Sequence, residues 1–174
     1  MRLSISCIGA ILLIVTLSVS PSISIMRGMG TAELTNLSDL VIRGNVENVQ
    51  SYWSSDHTTI ITQAVVVYDT VIRGNIREKR ITVEYEGGEV GDTGLRVSDS
   101  VEIRTGEDVV LFLKRGKSRR AGRAFGVVGK AQGKYTVGSD GIARKKGFSV
   151  IDGQGMIDNN IPVQKLLDKI RKAQ

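Results

Sequence analysis

The sequence predicts a mainly β domain: a closed barrel of five strands followed by a C-terminal amphipathic helix and preceded by a signal peptide. Three observations predict it. The apolar alternation changes phase inside the first strand, four further β-rich segments are divided by turn residues, and helical spacing is confined to residues 161–172. In the first strand Leu40, Ile42 and Val46 share one face, while Val41, Arg43, Asn45 and Glu47 share the other. The phase then passes to Val49, Ser51 and Trp53. Such a switch needs an extra residue near Glu47 or Asn48, and Gly44 just before it tolerates a bulge or a sharp bend. Bent strands curl a sheet until it closes.

The chain begins with a positive Met1-Arg2 and a charge-free apolar run from Ile5 to Val19. Small residues Ser22 and Ser24 then occupy the positions that precede a cleavage site. Residues 1–24 are expected to be a signal peptide. An uncleaved membrane anchor over residues 5–25 is the alternative, since the run extends through Ile25. Residues 25–30 read as a linker and residues 31–174 as one domain, secreted or extracytoplasmic. Cys7, the sole cysteine, lies in the leader. The mature chain therefore has no disulfide, thiolate metal site or cysteine nucleophile, and apolar burial alone must hold it together.

Thr31 to Leu37 suits a short helical turn capped by Thr31 or Thr35, and Asn36-Leu37-Ser38 matches the N-glycosylation pattern. The polar run Ser54 to Thr59 predicts a hairpin loop, after which Ile60 to Ile72 is apolar on both faces, as in a central strand. Arg73-Gly74-Asn75 ends that strand. Ile81, Val83 and Tyr85 alternate with Thr82, Glu84 and Glu86 in a third strand, which Gly87-Gly88 stops. The polar stretch from Glu89 to Glu107 is long for a loop, so it either serves a function or hides a short element. Val109 to Leu113 and Phe125 to Val128 supply strands four and five, and Gly138 to Gly141 marks a hairpin between Lys134–Val137 and Ile142–Arg144. In the final helix Asn160 reads as the N-cap, Pro162 suits the first turn, and Val163, Leu166, Leu167 and Ile170 form the apolar stripe. The likeness of residues 39–45 to residues 69–75 at six of seven positions stops there, and reads as coincidence.

The segments Ser38-Asp39-x-Val41-Ile42-Arg43 and Tyr68-x-x-Val71-x-Arg73-Gly74 give residues 36–115 a resemblance to the netrin-like domain of the tissue inhibitors of metalloproteinases. With Gly87 to Gly91, Gly94 to Val97, Gly106 to Leu113 and Gly129 to Tyr135, most of the mature chain also resembles a group of uncharacterised secreted prokaryotic proteins. The resemblance implies an OB-like five-stranded barrel with helices packed outside. It does not bring the inhibitors' mechanism, which works through an N-terminal cysteine and disulfides that this chain lacks, and fold does not dictate function.

Net charge is +6, and the excess is concentrated. Lys114, Arg115, Lys117, Arg119, Arg120 and Arg123 crowd one stretch, and Arg144, Lys145 and Lys146 form a second group. Outside a cell such a patch would meet an acidic glycan, an anionic surface or a secreted protein partner, with nucleic acid not expected. The expected function is a non-enzymatic binding module using those six residues, with the loop from Gly87 to Val97 as a second surface and no cofactor. One alternative is an inhibitor or accessory partner of a secreted protease; another is a hydrolase using the acidic residues Glu84, Glu86, Glu89, Asp92, Asp99 and Glu102. The sole imidazole, His57, falls in a polar loop without a nucleophile beside it, and the acidic residues lack the spacing of a calcium loop. Tyr52, Trp53 and Tyr85 could stack bases, but core or rim packing is the simpler role.

Overall fold

A computed structural model of the chain describes residues 27–119, 122–148 and 157–174. The leader, Cys7 and Arg120 lie outside the described residues. The fold is mainly β with a C-terminal helix. A short helix α1 (Thr31–Leu37) leads into β1 (Leu40–Trp53), β2 (Ile60–Arg73) and β3 (Arg80–Glu86). Two three-residue strands follow, β4 (Gly88–Val90) and β5 (Thr93–Leu95), then β6 (Asp108–Lys117) and β7 (Arg123–Val127). The chain ends with β8 (Lys134–Val137), β9 (Ile142–Arg144), β10 (Ile161–Pro162) and helix α2 (Val163–Lys172).

Pairing runs β1-β2-β3-β7-β6 and returns to β1, a ring of five strands, with β8, β9 and β10 continuing from β6. All ring neighbours are antiparallel except β3 and β7, whose parallel pairing consists of Val83 opposite Phe125. β1 can serve two neighbours because it bends. Val46 faces Val66 and Asn48 faces Val65, so Glu47 is the extra residue, and a further register shift falls between Arg43 and Gly44. Gly44 takes part because β2 crosses it closely: a Cβ there would lie 2.3 Å from the Val67 carbonyl oxygen. The two similar heptapeptides are antiparallel neighbours, with Val41 opposite Arg73 and Ile42 opposite Val71. Their glycines differ in use, since Gly74 turns the chain at φ +85°.

Two apolar layers follow from the alternation. Leu40, Ile42, Val46, Val83, Val109, Leu111 and Leu113 fill the inside of the ring, where Val101 and Ile103 of the long polar stretch also insert. Val41, Val110 and Phe112 point outward to meet Leu34, Tyr135 and the α2 stripe Leu166, Leu167 and Ile170. β6 therefore reads as a continuous apolar run because both of its faces are covered. The stretch from Glu89 to Glu107, read as serving a function or hiding a short element, holds most of β4 and all of β5, and its end is pinned by Lys134, buried at 8 % exposure, which bonds Glu107 and the Glu102 carbonyl. Burial pushes the Lys134 ammonium down, and Glu107 offsets part of that.

The termini of both helices differ from expectation. α1 starts after Gly30, with Thr31 and Thr35 inside it, and Thr35 Oγ1 donates to the Thr31 carbonyl instead of capping. The expected helix 161–172 begins two residues later. Ile161 and Pro162 pair with Ala143 and Ile142, so Pro162 becomes the N-cap and Asn160 sits outside the helix at φ +50°. In the segment read as linker, the Met29 N–H donates to Gln132 Oε1 and Gln132 Nε2 donates to the Arg27 carbonyl. Among the described residues no helix is long and apolar enough to cross a membrane.

Candidate anion-binding groove

The basic stretch is a β hairpin, not a free loop. Leu113 to Lys117 of β6 pairs with Val127 to Arg123 of β7, so Lys114, Arg115, Lys117 and Arg123 stand on strands. At the tip the Ser118 N–H donates to the Gly122 carbonyl at 3.1 Å. The hairpin's charges border two cavities, and Arg115 and Lys117 line both.

On one side the tip lies against β3. Glu84 Oε2 accepts the Arg119 N–H at 2.9 Å, and Glu84 Oε1 accepts Ser118 Oγ at 2.5 Å. The same oxygen accepts Gln63 Nε2 at 2.6 Å and Tyr52 OH at 2.8 Å. Burial pushes the Glu84 carboxyl up, but these hydrogen bonds outweigh it and hold the group below the ordinary glutamate value. Arg119 Nη1 pairs with Glu86 Oε1 at 2.5 Å. A cleft of about 270 Å³ between hairpin and β3 is thus lined by both signs of charge, Glu84, Glu86, Lys114 and Arg119 among them.

On the other side a groove of about 1040 Å³ separates the hairpin from the turn after β2. Its walls carry Arg77 and Arg80 from the turn and the start of β3, and Arg115, Lys117 and Arg123 from the hairpin; Ile76, Ile81, Ala124 and Phe125 also line it. Glu78 is the one carboxylate there, and its own backbone N–H together with Arg123 and Arg115 draws it below the usual range. Among the described residues Arg80 is the one of these five cations with a carboxylate within ion-pair distance; Arg77, Lys117 and Arg123 make no ion pair there, and Arg115 is held by a backbone carbonyl instead. Arg80 is held by Glu47 through two bonds of 2.8 Å. Arg115 donates to the Asn75 carbonyl at 2.5 Å and lies 6.0 Å from the Phe125 ring centre.

The structure therefore rearranges the basic set. Arg123 lines the groove, Lys117 and Arg115 line both the groove and the opposite cleft, Lys114 lines the cleft, and Arg119 is tied to Glu86. Arg77 and Arg80 were missed because the turn from Arg77 to Arg80 reads locally as punctuation between strands. Only the parallel closure of β3 on β7 brings it beside the hairpin. The second basic group does not act as a patch: Arg144 pairs with Asp140 and Lys145 is buried, leaving Lys146 exposed.

The other candidates have structural surroundings. Tyr52 serves Glu84, Trp53 stacks on His57 with ring centres 6.3 Å apart, and Tyr85 OH meets the backbone of Ile103. Glu84 and Glu86 stand on β3 and spend their carboxylates on the hairpin tip. A depressed Glu84 is the reverse of what a general acid at neutral pH requires. Among the described residues no group of His, Asp or Glu is placed to hold a metal ion. Comparison with family models, curated proteins and solved structures finds no match to this chain.

Proposed function

We propose that the chain is a non-enzymatic binding module for a polyanionic ligand, exported by its leader and presenting the groove between residues 75–81 and the β6–β7 hairpin. The observation that carries this reading is the concentration of Arg77, Lys117 and Arg123 in one groove without ion-pair partners among the described residues, while Arg80 and Arg119 beside them are paired. Cations left unpaired on a concave surface focus positive potential and draw anionic chains to it. The scaffold reads as a small closed barrel of the OB type. The ring order β1-β2-β3-β7-β6, its return to β1 and the outside placement of α2 support that reading, as the netrin-like resemblance implied. The ligand class fits an acidic glycan or other anionic surface outside the cell better than nucleic acid, because the groove walls carry no exposed aromatic for base stacking.

The test is retention on immobilised heparin across a salt gradient. Replacing Arg77, Lys117 and Arg123 together with alanine is expected to lower the eluting salt concentration sharply and to reduce the salt dependence of binding by roughly one charge per residue removed. All three side chains stand at exposed or half-exposed positions without ion pairs, so thermal stability should stay within about 0.5 kcal/mol of the parent. Unchanged retention of the triple variant would remove the groove from consideration.

A further inference from the structure

We propose that Glu84 is the positioning residue of this groove: its carboxylate holds Ser118 and Arg119 at the start of the hairpin tip and so sets the placement of Lys117 and Arg123, which line the groove. The inference rests on the polyanion-binding reading and says what shapes that site.

The argument begins with what the backbone leaves undone. β7 meets β3 through a single residue pair, Val83 with Phe125, so the outer end of the hairpin has no ladder to orient it against the ring. Glu84 is the next residue along β3, and it supplies that orientation. Its two oxygens collect donors from β1 through Tyr52, from β2 through Gln63, and from the tip through Ser118 Oγ and the Arg119 N–H. Three ring strands and the tip thereby converge on one half-buried carboxylate. A carboxylate is suited to this because it only accepts, whereas an amide of the same shape would turn one acceptor into a donor facing another donor. Lys117 pairs with Arg123 directly below the tip, so a change in tip placement moves both cations. The neighbouring Glu86 makes a different contact, to the Arg119 side chain across a pair whose members are 44 % and 51 % exposed, and it does not hold the backbone.

The sign of the effect separates positioning from simple charge. Neutralising any carboxylate near a cationic groove raises its potential and, by charge alone, tightens polyanion binding. If Glu84 positions the tip, its neutralisation must weaken binding instead. The experiment compares Glu84→Gln with Glu86→Gln, measuring the affinity for a soluble heparin oligosaccharide, the melting temperature and amide hydrogen exchange. Glu84→Gln is expected to bind roughly tenfold more weakly, the scale of a lost charge-assisted hydrogen bond. Exchange should accelerate at Arg119 and its neighbours but not in β1 or β2. Glu86→Gln is expected to bind as tightly as the parent or more tightly.

Glu84→Gln binding as tightly as the parent would overturn the proposal. So would accelerated exchange throughout β1 and β2, because Glu84 would then hold the fold and not the site. A parent that fails to bind heparin would sink the proposed function, while the tip exchange still decides whether Glu84 governs the hairpin.

Discussion

Gly44→Ala is expected to destabilise the domain by about 3–5 kcal/mol, read as a fall in the urea midpoint without a matching change in slope. The added methyl carbon would stand 2.3 Å from the Val67 carbonyl oxygen and 2.5 Å from the Tyr68 Cα, both of them backbone atoms of the paired strand. Neither can rotate away, so relief requires β1 and β2 to separate where the bend brings them together, between register shifts on either side. Gly44 lies outside the set of positive-φ glycines, so the penalty is one of space and not of backbone conformation. Gly126→Ala in β7 is the matched control. Its new carbon meets no atom within 4 Å, and the change is expected to stay within about 0.5 kcal/mol. Equal behaviour of the two variants would refute the close-approach account of the bend.

Lys145→Met is expected to stabilise the domain by about 3 kcal/mol at pH 7, raising the melting temperature by about 6–12 °C. Lys145 is 5 % exposed, and its Nζ lies 4.5 Å from the Tyr135 ring centre without a hydrogen-bond partner. Asp158 is near enough to favour the ammonium, but its oxygens already accept Lys169 Nζ and Thr31 Oγ1. Burial therefore dominates and lowers the Lys145 pKa from 10.5 to about 8. Below pH 8 both folded and unfolded chains carry the charge, and the folded one bears its full desolvation cost. Between about pH 8 and 10.5 the folded amine has shed a proton that the unfolded chain still binds, so stability from this group rises with pH. Methionine removes the charge while keeping a flexible side chain with a sulfur that suits an aromatic neighbour. The advantage of the variant should accordingly shrink as pH rises from 8 to 10.5, which paired melting curves at several pH values would measure. A constant difference across that range would mean that the amine's charge is not the cause.

The local half of the fold was legible in the sequence because local periodicity encodes it. The phase switch after Val46 placed an extra residue near Glu47 or Asn48, which the pairing resolves to Glu47, and Gly138 to Gly141 marked a hairpin that closes with the Gly138 N–H on the Ile142 carbonyl at 3.0 Å. The helix start escaped because a two-residue strand pairing, Ile161 and Pro162 with β9, is decided by a partner nearly twenty residues earlier. The candidate site was half legible for a similar reason. A run of like charge shows where cations are dense, but not which of them are neutralised. Arg119 and Arg144 are answered by carboxylates, and Lys145 turns inward. Arg77 and Arg80 join the groove only through the closure of β3 on β7. Hydrogen bonds to Glu84 from two strands and a turn leave no trace in any short window of sequence.

The single Val83–Phe125 junction also bears on how the domain assembles. β1 with β2, β2 with β3 and β6 with β7 are joined by short connections and can zip locally, whereas this junction ties positions more than forty residues apart. Its backbone ladder is one pair of residues, so side-chain contacts such as those of Glu84 and Glu86 with the tip must offset much of its entropy of closure. Shaping the sheet before that knot is drawn falls to the hairpins, and under mechanical load the knot is the place where the circle would first come undone.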